Sequence, residues 1–103
     1  MANKKRPLSA NVFRELGFDI EESENLKIRA HLMIELSGLI EKRGWAQARA
    51  AEVMGVTQPR ISDLVCGKID RFSIDTLIAM LGSAGVKVRV TTTDARIAQQ
   101  VTR

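Results

Sequence analysis

The sequence predicts an all-α fold of four to five helices with one β-strand near the C-terminal end. The helices are predicted because apolar side chains recur every three or four residues between capping and terminating residues. The clearest case is the long segment before Gly44, whose apolar residues are Leu32, Met33, Leu36, Leu39 and Ile40. The strand is predicted because Val86, Val88 and Val90 alternate with polar residues. A length of 103 residues favours one small domain.

The composition excludes several classes of protein. The chain has one Cys and one His, so it can form neither an internal disulfide nor a His/Cys zinc site. No apolar run approaches the ~20 residues that cross a bilayer, and the start lacks the apolar region of a signal peptide. We therefore expect a small, soluble, intracellular domain.

The charges are distributed unevenly along the chain. Lys and Arg number 16 and Asp and Glu number 12, which gives a net charge of +4. Residues 15–24 contain acids and no base, whereas bases outnumber acids in residues 42–71. The start, Lys4-Lys5-Arg6, is a basic arm. The net charge is weak evidence for an anionic partner, because many charged surfaces are simply solvated, and the polarity between segments is more informative than the sum.

Three segments are predicted along the chain. Residues 1–18 are a basic flexible arm with a short helix from Asn11 to Gly17, residues 19–92 form the main domain, and residues 93–103 are a polar tail. Asp19 and Glu22 have the spacing of a capping box, which predicts the start of the long helix. The sequence Lys42-Arg43-Gly44 predicts its end, because a helix C-terminus favours cations and a following glycine.

Three shorter helices follow the long one. The second is predicted from about Gln47 to Met54, where Gly55 stops it. Thr57 can cap a third helix, which ends at Gly67. Ser73 can cap a fourth helix, whose apolar residues are Ile74, Leu77, Ile78 and Leu81.

The predicted strand, Val86–Thr92, has no second strand pattern in the chain to pair with. A lone strand leaves backbone N–H and C=O groups without partners. It can pair across a dimer, dock on another protein, or be an extended tail, and we expect intermolecular pairing. A dimer would place Val86, Val88 and Val90 over the apolar face of the fourth helix and make them dimerisation residues.

The second and third helices have the spacing of a helix-turn-helix, in which two short helices are joined by a turn of three to four residues that contains glycine. Gly55 can adopt the left-handed backbone conformation of the turn, and Ala51 is small where the third helix crosses. Apolar residues at the other fixed offsets lock the two helices at one angle: Ala50, Met54, Val56, Ile61 and Leu64.

The stretches 55–64 (GVTQPRISDL) and 67–77 (GKIDRFSIDTL) carry a resemblance to a known family. The chain resembles the λ-repressor-like Cro and phage-repressor superfamily of helix-turn-helix proteins, called the XRE family. Within it, the chain is most similar to the HigA-like antitoxins, over about residues 11–92. It departs from their pattern at Trp45-Ala46, where a smaller apolar residue followed by Thr or Ser is expected. The methyl group of Ala46 cannot cap the second helix.

This resemblance implies a sequence-specific transcriptional repressor that binds a palindromic operator in double-stranded DNA as a homodimer. It also implies a RelE-like ribonuclease toxin as partner, so that the protein is the antitoxin of a HigBA-type pair and represses its own operon. A cytoplasmic protein of a bacterium or a phage is expected on the same ground.

The third helix supplies the predicted base contacts. If Ile61, Leu64 and Val65 face inward, the polar residues at its start face the major groove. We expect base contacts from Gln58, Arg60, Ser62 and Asp63. Phosphate contacts, which fix the register without reading sequence, are expected from Gln47, Arg49, Thr57 and Lys68.

The sequence shows no nucleophile–base pairing and no phosphate-cradling glycine loop, so we expect a protein that is not an enzyme. It indicates no metal, no cofactor, no small-molecule substrate and no membrane partner. Two alternatives stay open. One is a phage-type or metabolic repressor without a toxin partner, and the other is a protein-interaction module that has lost DNA binding.

Overall fold

The computed structural model describes residues 20–94. This part of the chain forms four α-helices and one short 3₁₀ helix. In chain order they are α1 (Ile20–Arg43), α2 (Gln47–Met54), α3 (Gln58–Val65), the 3₁₀ helix (Ile69–Arg71) and α4 (Ile74–Ser83). The predicted basic arm and short helix of residues 1–18, the capping residue Asp19 and residues 95–103 of the predicted tail lie outside the described residues.

Helix α1 has the charge distribution that a helix dipole favours. Glu21 and Glu22 lie in its first turn, and Lys42 and Arg43 lie in its last turn. Its buried apolar residues follow the helical period and form one stripe along it: Leu26, Ala30, Met33, Leu36 and Ile40. Gly44 ends it with a positive φ of 65°. The predicted C-terminal end is confirmed.

The other helices pack around α1 to form one apolar core. Helix α4 lies against α1 and α2, α3 lies against α2 and α1, and the 3₁₀ helix contacts α1. The buried cluster contains residues from every α-helix and from the chain just before α4: Met33, Leu36, Ile40, Ala50, Ala51, Met54, Ile61, Leu64, Phe72, Leu77, Met80 and Leu81. This core fixes the position of α3 relative to the rest of the chain.

The caps of the short helices differ in their hydrogen bonds. The Ser73 hydroxyl accepts a hydrogen bond from the backbone N–H of Thr76 at 3.1 Å, so the predicted cap of α4 is confirmed. Thr57 occupies the N-cap position of α3 with extended backbone angles, but its side chain makes no capping hydrogen bond. Ala46 precedes α2 without a side-chain cap, as its methyl group requires.

Residues 86–94 have no regular secondary structure, so the strand predicted over Val86–Thr92 is not formed in the single chain. The physical reason is that the described residues of this chain contain no strand edge with which it could pair. Val86 and Val88 are half-buried and pack against the core, whereas Val90 is 75% exposed. None of the helices within residues 20–94 combines the length and the apolar character that a membrane span needs.

Candidate nucleic-acid interface

The turn between α2 and α3 depends on a left-handed residue at the end of α2. Gly55 has φ 70° and ψ 31°, and its backbone N–H donates to the carbonyl oxygens of Ala51 and Glu52. The N–H of Val56 also donates to the Ala51 carbonyl oxygen, at 3.0 Å. These bonds satisfy carbonyl groups that would otherwise lack partners at the helix end, and they set the direction in which the chain enters α3.

Helix α3 is attached to the core through Ile61 and Leu64, which are 0% and 1% exposed. Gln58 and Pro59 are exposed on its first turn, and Ser62 is half-buried beyond them. The prediction that Val65 faces inward is wrong, because its side chain is 45% exposed. Val65 follows the buried Leu64 directly, and a rotation of about 100° per residue turns it away from the core contact.

Five side chains from α2 and α3 line one shallow depression of the surface, here called the α2–α3 depression: Gln47, Gln58, Pro59, Ser62 and Asp63. It therefore brings together three of the four predicted base-contacting residues and one predicted phosphate-contacting residue. Gln58 and Ser62 present an amide and a hydroxyl there, groups that can donate to and accept from base edges.

The fourth predicted base-contacting residue, Arg60, is held against the chain that precedes α4. Its Nη1 donates to the carbonyl oxygen of Arg71 at 2.9 Å. Its guanidinium carbon also lies 4.7 Å from the centre of the Phe72 ring, within the range of a cation–π contact. A hydrogen bond and a ring contact therefore orient Arg60 toward the turn that follows α3.

Asp63 faces two cations of the same turn. Its Oδ1 lies 3.7 Å from Lys68 Nζ, and its Oδ2 lies 3.5 Å from Arg71 Nη1. The Asp63 side chain is 17% exposed, whereas those of Lys68 and Arg71 are 49% and 56% exposed. Lys68, a predicted phosphate contact, thus lies next to a predicted base contact.

The remaining predicted phosphate contacts lie on the exposed parts of α2 and of the turn. Gln47 begins α2, and Thr57 immediately precedes α3; both are exposed. Arg49 is also exposed, and its Nη1 lies 2.7 Å from Glu52 Oε1 within the same helix. An exposed pair of this kind is weak and leaves the guanidinium available to a phosphate.

Arg29, Arg71 and Phe72 are residues near this surface that sequence reasoning missed. Arg29, on α1, donates from Nη1 to the carbonyl oxygens of Ile69 at 3.1 Å and Phe72 at 3.3 Å, which fastens the turn to the core. Arg71 and Phe72 hold Asp63 and Arg60 as described above. Separations of 40 and 43 residues explain why no local pattern pointed to Arg29. The basic segment around Arg71 was the one available signal.

Comparison with known proteins agrees with this geometry. A family model described as a helix-turn-helix domain matches residues 12–93, which include the whole of α1 to α4. No curated protein matches the chain. Domains of this type place the second helix of the motif, here α3, in the major groove of DNA. Since the match covers most of the chain, the chain belongs to the helix-turn-helix domain family.

Proposed function

We propose that this protein is a sequence-specific transcriptional repressor that binds double-stranded DNA with α3 in the major groove. The observation that carries the proposal is the α2–α3 depression: it presents Gln58 and Ser62 outward on a helix whose other side is fixed by Ile61 and Leu64. A rigid helix of this kind can hold an amide and a hydroxyl at a constant height over base edges.

Gln58 is the proposed reader of one base pair, because an amide can bond in bidentate fashion to adenine. Gln47 and Lys68 are proposed phosphate contacts, with Arg49 and Thr57 as further ones. Arg60 would reach a guanine or a phosphate from its place over Phe72. In this arrangement, phosphate contacts set the register and Gln58 and Ser62 supply the sequence preference.

The first experiment tests base reading by selection of bound duplexes from a random library, followed by titration of the selected duplex. We expect Gln58→Ala to lose about 1–3 kcal/mol of binding free energy on that duplex and to relax the preference at one base pair. Gln47→Ala is the matched control, since it removes the same amide from a proposed phosphate contact. It should weaken binding to all duplexes by one common factor. A Gln58→Ala protein with unchanged preference at every position would contradict the placement of α3.

We further propose that the protein acts as a homodimer on a palindromic operator. One module of this size buries about 600–1,000 Å² on DNA, and two copies would read half-sites about 34–36 Å apart. The support is the Val86–Thr92 segment: it has no regular secondary structure, and Val90 is 75% exposed beside the half-buried Val88. Antiparallel pairing with a second copy would give its backbone groups partners and cover Val90.

The role as antitoxin of a HigBA-type pair, with a RelE-like toxin as partner, is proposed on the sequence resemblance alone. It is tested by co-expression with the product of the adjacent reading frame. Co-purification of the two proteins and relief of growth arrest would support it. Operator binding without such a partner would identify a phage-type or metabolic repressor, and failure to enrich any duplex would favour a protein-interaction module.

A further inference from the structure

Asp63 puts a negative charge on the surface that is proposed to meet DNA. Its side chain lines the α2–α3 depression together with Gln58 and Ser62. A DNA phosphate close to an unpaired carboxylate would be repelled, because like charges at short range raise the energy of a complex. A DNA-binding role for α3 therefore has to accommodate this charge.

The structure pairs this carboxylate with two cations rather than leaving it free. Its two oxygens face Lys68 Nζ and Arg71 Nη1 at 3.7 and 3.5 Å. At 17% exposure the Asp63 side chain is directed at the turn after α3, while the two cations are about half exposed. In the free protein each carboxylate oxygen therefore faces a positive group, which competes with a cytosine amino group for it.

Both ion pairs are easily exchanged. Their distances are long for charge-assisted hydrogen bonds, and water and salt reach the exposed cations and screen the attraction. Lys68 and Arg71 can therefore turn from the carboxylate to a phosphate of a bound duplex at small cost. When either cation turns to a phosphate, Asp63 loses that ion pair. This loss offsets part of the favourable free energy that the phosphate contact contributes.

Resting on the function proposed above, we propose that Asp63 limits sequence-independent DNA binding by competing with phosphates for Lys68 and Arg71, and that it reads no base. The carboxylate acts as an internal substitute for a phosphate in the free protein. Because phosphates are the same in every duplex, Asp63 lowers the affinity for all sequences by the same factor. Gln58 and Ser62 set the preference among sequences.

Asp63→Asn tests this inference, since it keeps the size of the side chain and removes its charge. Fluorescence anisotropy is measured with a random-sequence duplex and with the selected duplex, at salt concentrations from about 50 to 200 mM. We expect affinity for both duplexes to rise about three- to tenfold at the lowest salt. The slope of log K against log salt should become steeper by about one, as expected for one more neutralised phosphate.

Asp70→Asn is the matched control. Asp70 lies in the 3₁₀ helix of the same turn, and among residues 20–94 it makes no ion pair. This variant changes the net charge equally but frees no cation, so its affinity should rise less and its salt slope should stay the same. In a Lys68→Gln/Arg71→Gln background, Asp63→Asn should lose most of its effect.

Two results would overturn the inference while leaving DNA binding intact. Equal effects of Asp63→Asn and Asp70→Asn would show that only net charge matters. A changed preference at a single base pair in Asp63→Asn would show that Asp63 reads a base. If the wild-type protein binds no duplex at all, the proposed function fails, and the inference that rests on it fails with it.

Discussion

At the scale of single residues, the angle between α2 and α3 depends on the backbone of Gly55. Its φ of 70° lies in the left-handed region, where a residue with a Cβ is strained. There is room for a methyl group, because a Cβ built at Gly55 meets only Ser83 Oγ at 3.7 Å. The requirement for glycine is therefore one of backbone conformation and not of space.

Gly55→Ala should lower the free energy of unfolding by about 1–2 kcal/mol, since alanine is strained at this φ. Gly38→Ala is the control: Gly38 lies within α1, and a Cβ there meets nothing within 4 Å. That variant should instead raise the free energy of unfolding by up to about 1 kcal/mol, because alanine favours the helix. Urea denaturation followed by circular dichroism measures both. Equal effects of the two substitutions would contradict the backbone argument.

At the scale of elements, α3 and α4 begin with the same type of residue but are capped differently. The Ser73 hydroxyl bonds to the backbone N–H of Thr76, whereas Thr57 makes no side-chain capping bond at the start of α3. Pro59 lies in the first turn of α3, where the missing N–H would lack a helical partner in any case. The start of α3 thus keeps an exposed Thr57 hydroxyl that is free of a capping role.

Ser73→Ala should lower the free energy of unfolding by about 1 kcal/mol, because α4 loses its side-chain cap. Thr57→Ala removes a hydroxyl at the equivalent position of α3 and should cost less than half as much. Denaturant titrations of the two variants and the wild-type protein give the comparison. A Thr57→Ala protein as destabilised as Ser73→Ala would show that the threonine caps α3 in solution.

At the scale of the whole molecule, the segment after α4 connects the fold of one chain with the proposed dimer. Val86 and Val88 pack against the core, while Val90 lies mostly in solvent beside them. Val88 and Val90 border a groove formed with apolar residues of α1 and α4, among them Ile28 and Ile78. A second copy that pairs with this segment would extend the same apolar surface.

Val88→Pro should break the proposed dimer and abolish operator binding, because proline removes a backbone donor from the ladder between the two copies. Val88→Ala is the control, since it keeps the N–H and loses only side-chain contact. Sedimentation measures the oligomeric state, and circular dichroism checks that the helices stay folded. If the proline variant still sediments as a dimer, the interface lies elsewhere on the molecule.

The sequence predicted the four described α-helices closely, but not the 3₁₀ helix Ile69–Arg71, which was expected to be a loop. Local signals were sufficient there: Gly44 and Gly55 end helices through a left-handed backbone, and Ser73 begins one through its hydroxyl. The buried face of α3 was predicted at Ile61 and Leu64 but wrongly extended to Val65, because helical period alone does not say how wide the core contact is.

The candidate site was predictable from sequence only in part. Two short helices with a fixed turn between them are enough to predict that four polar side chains share one surface: Gln47, Gln58, Ser62 and Asp63. The interactions of Arg60 and Asp63 could not be predicted in this way, since their partners lie 5 to 12 residues away along the chain, beyond the end of α3.

The features of this protein therefore fall into two groups, those that depend on neighbours along the chain and those that depend on tertiary contacts. Helix boundaries and the outward residues of α3 depend on neighbours within one or two turns, so the order of residues along the chain is enough to locate them. The contacts of Arg29, Arg60 and Asp63 form only because packing of the core brings α1, α3 and the turn after α3 together. The physical reason is that hydrogen bonds, ring contacts and ion pairs act over a few ångströms of space, whatever the separation along the chain.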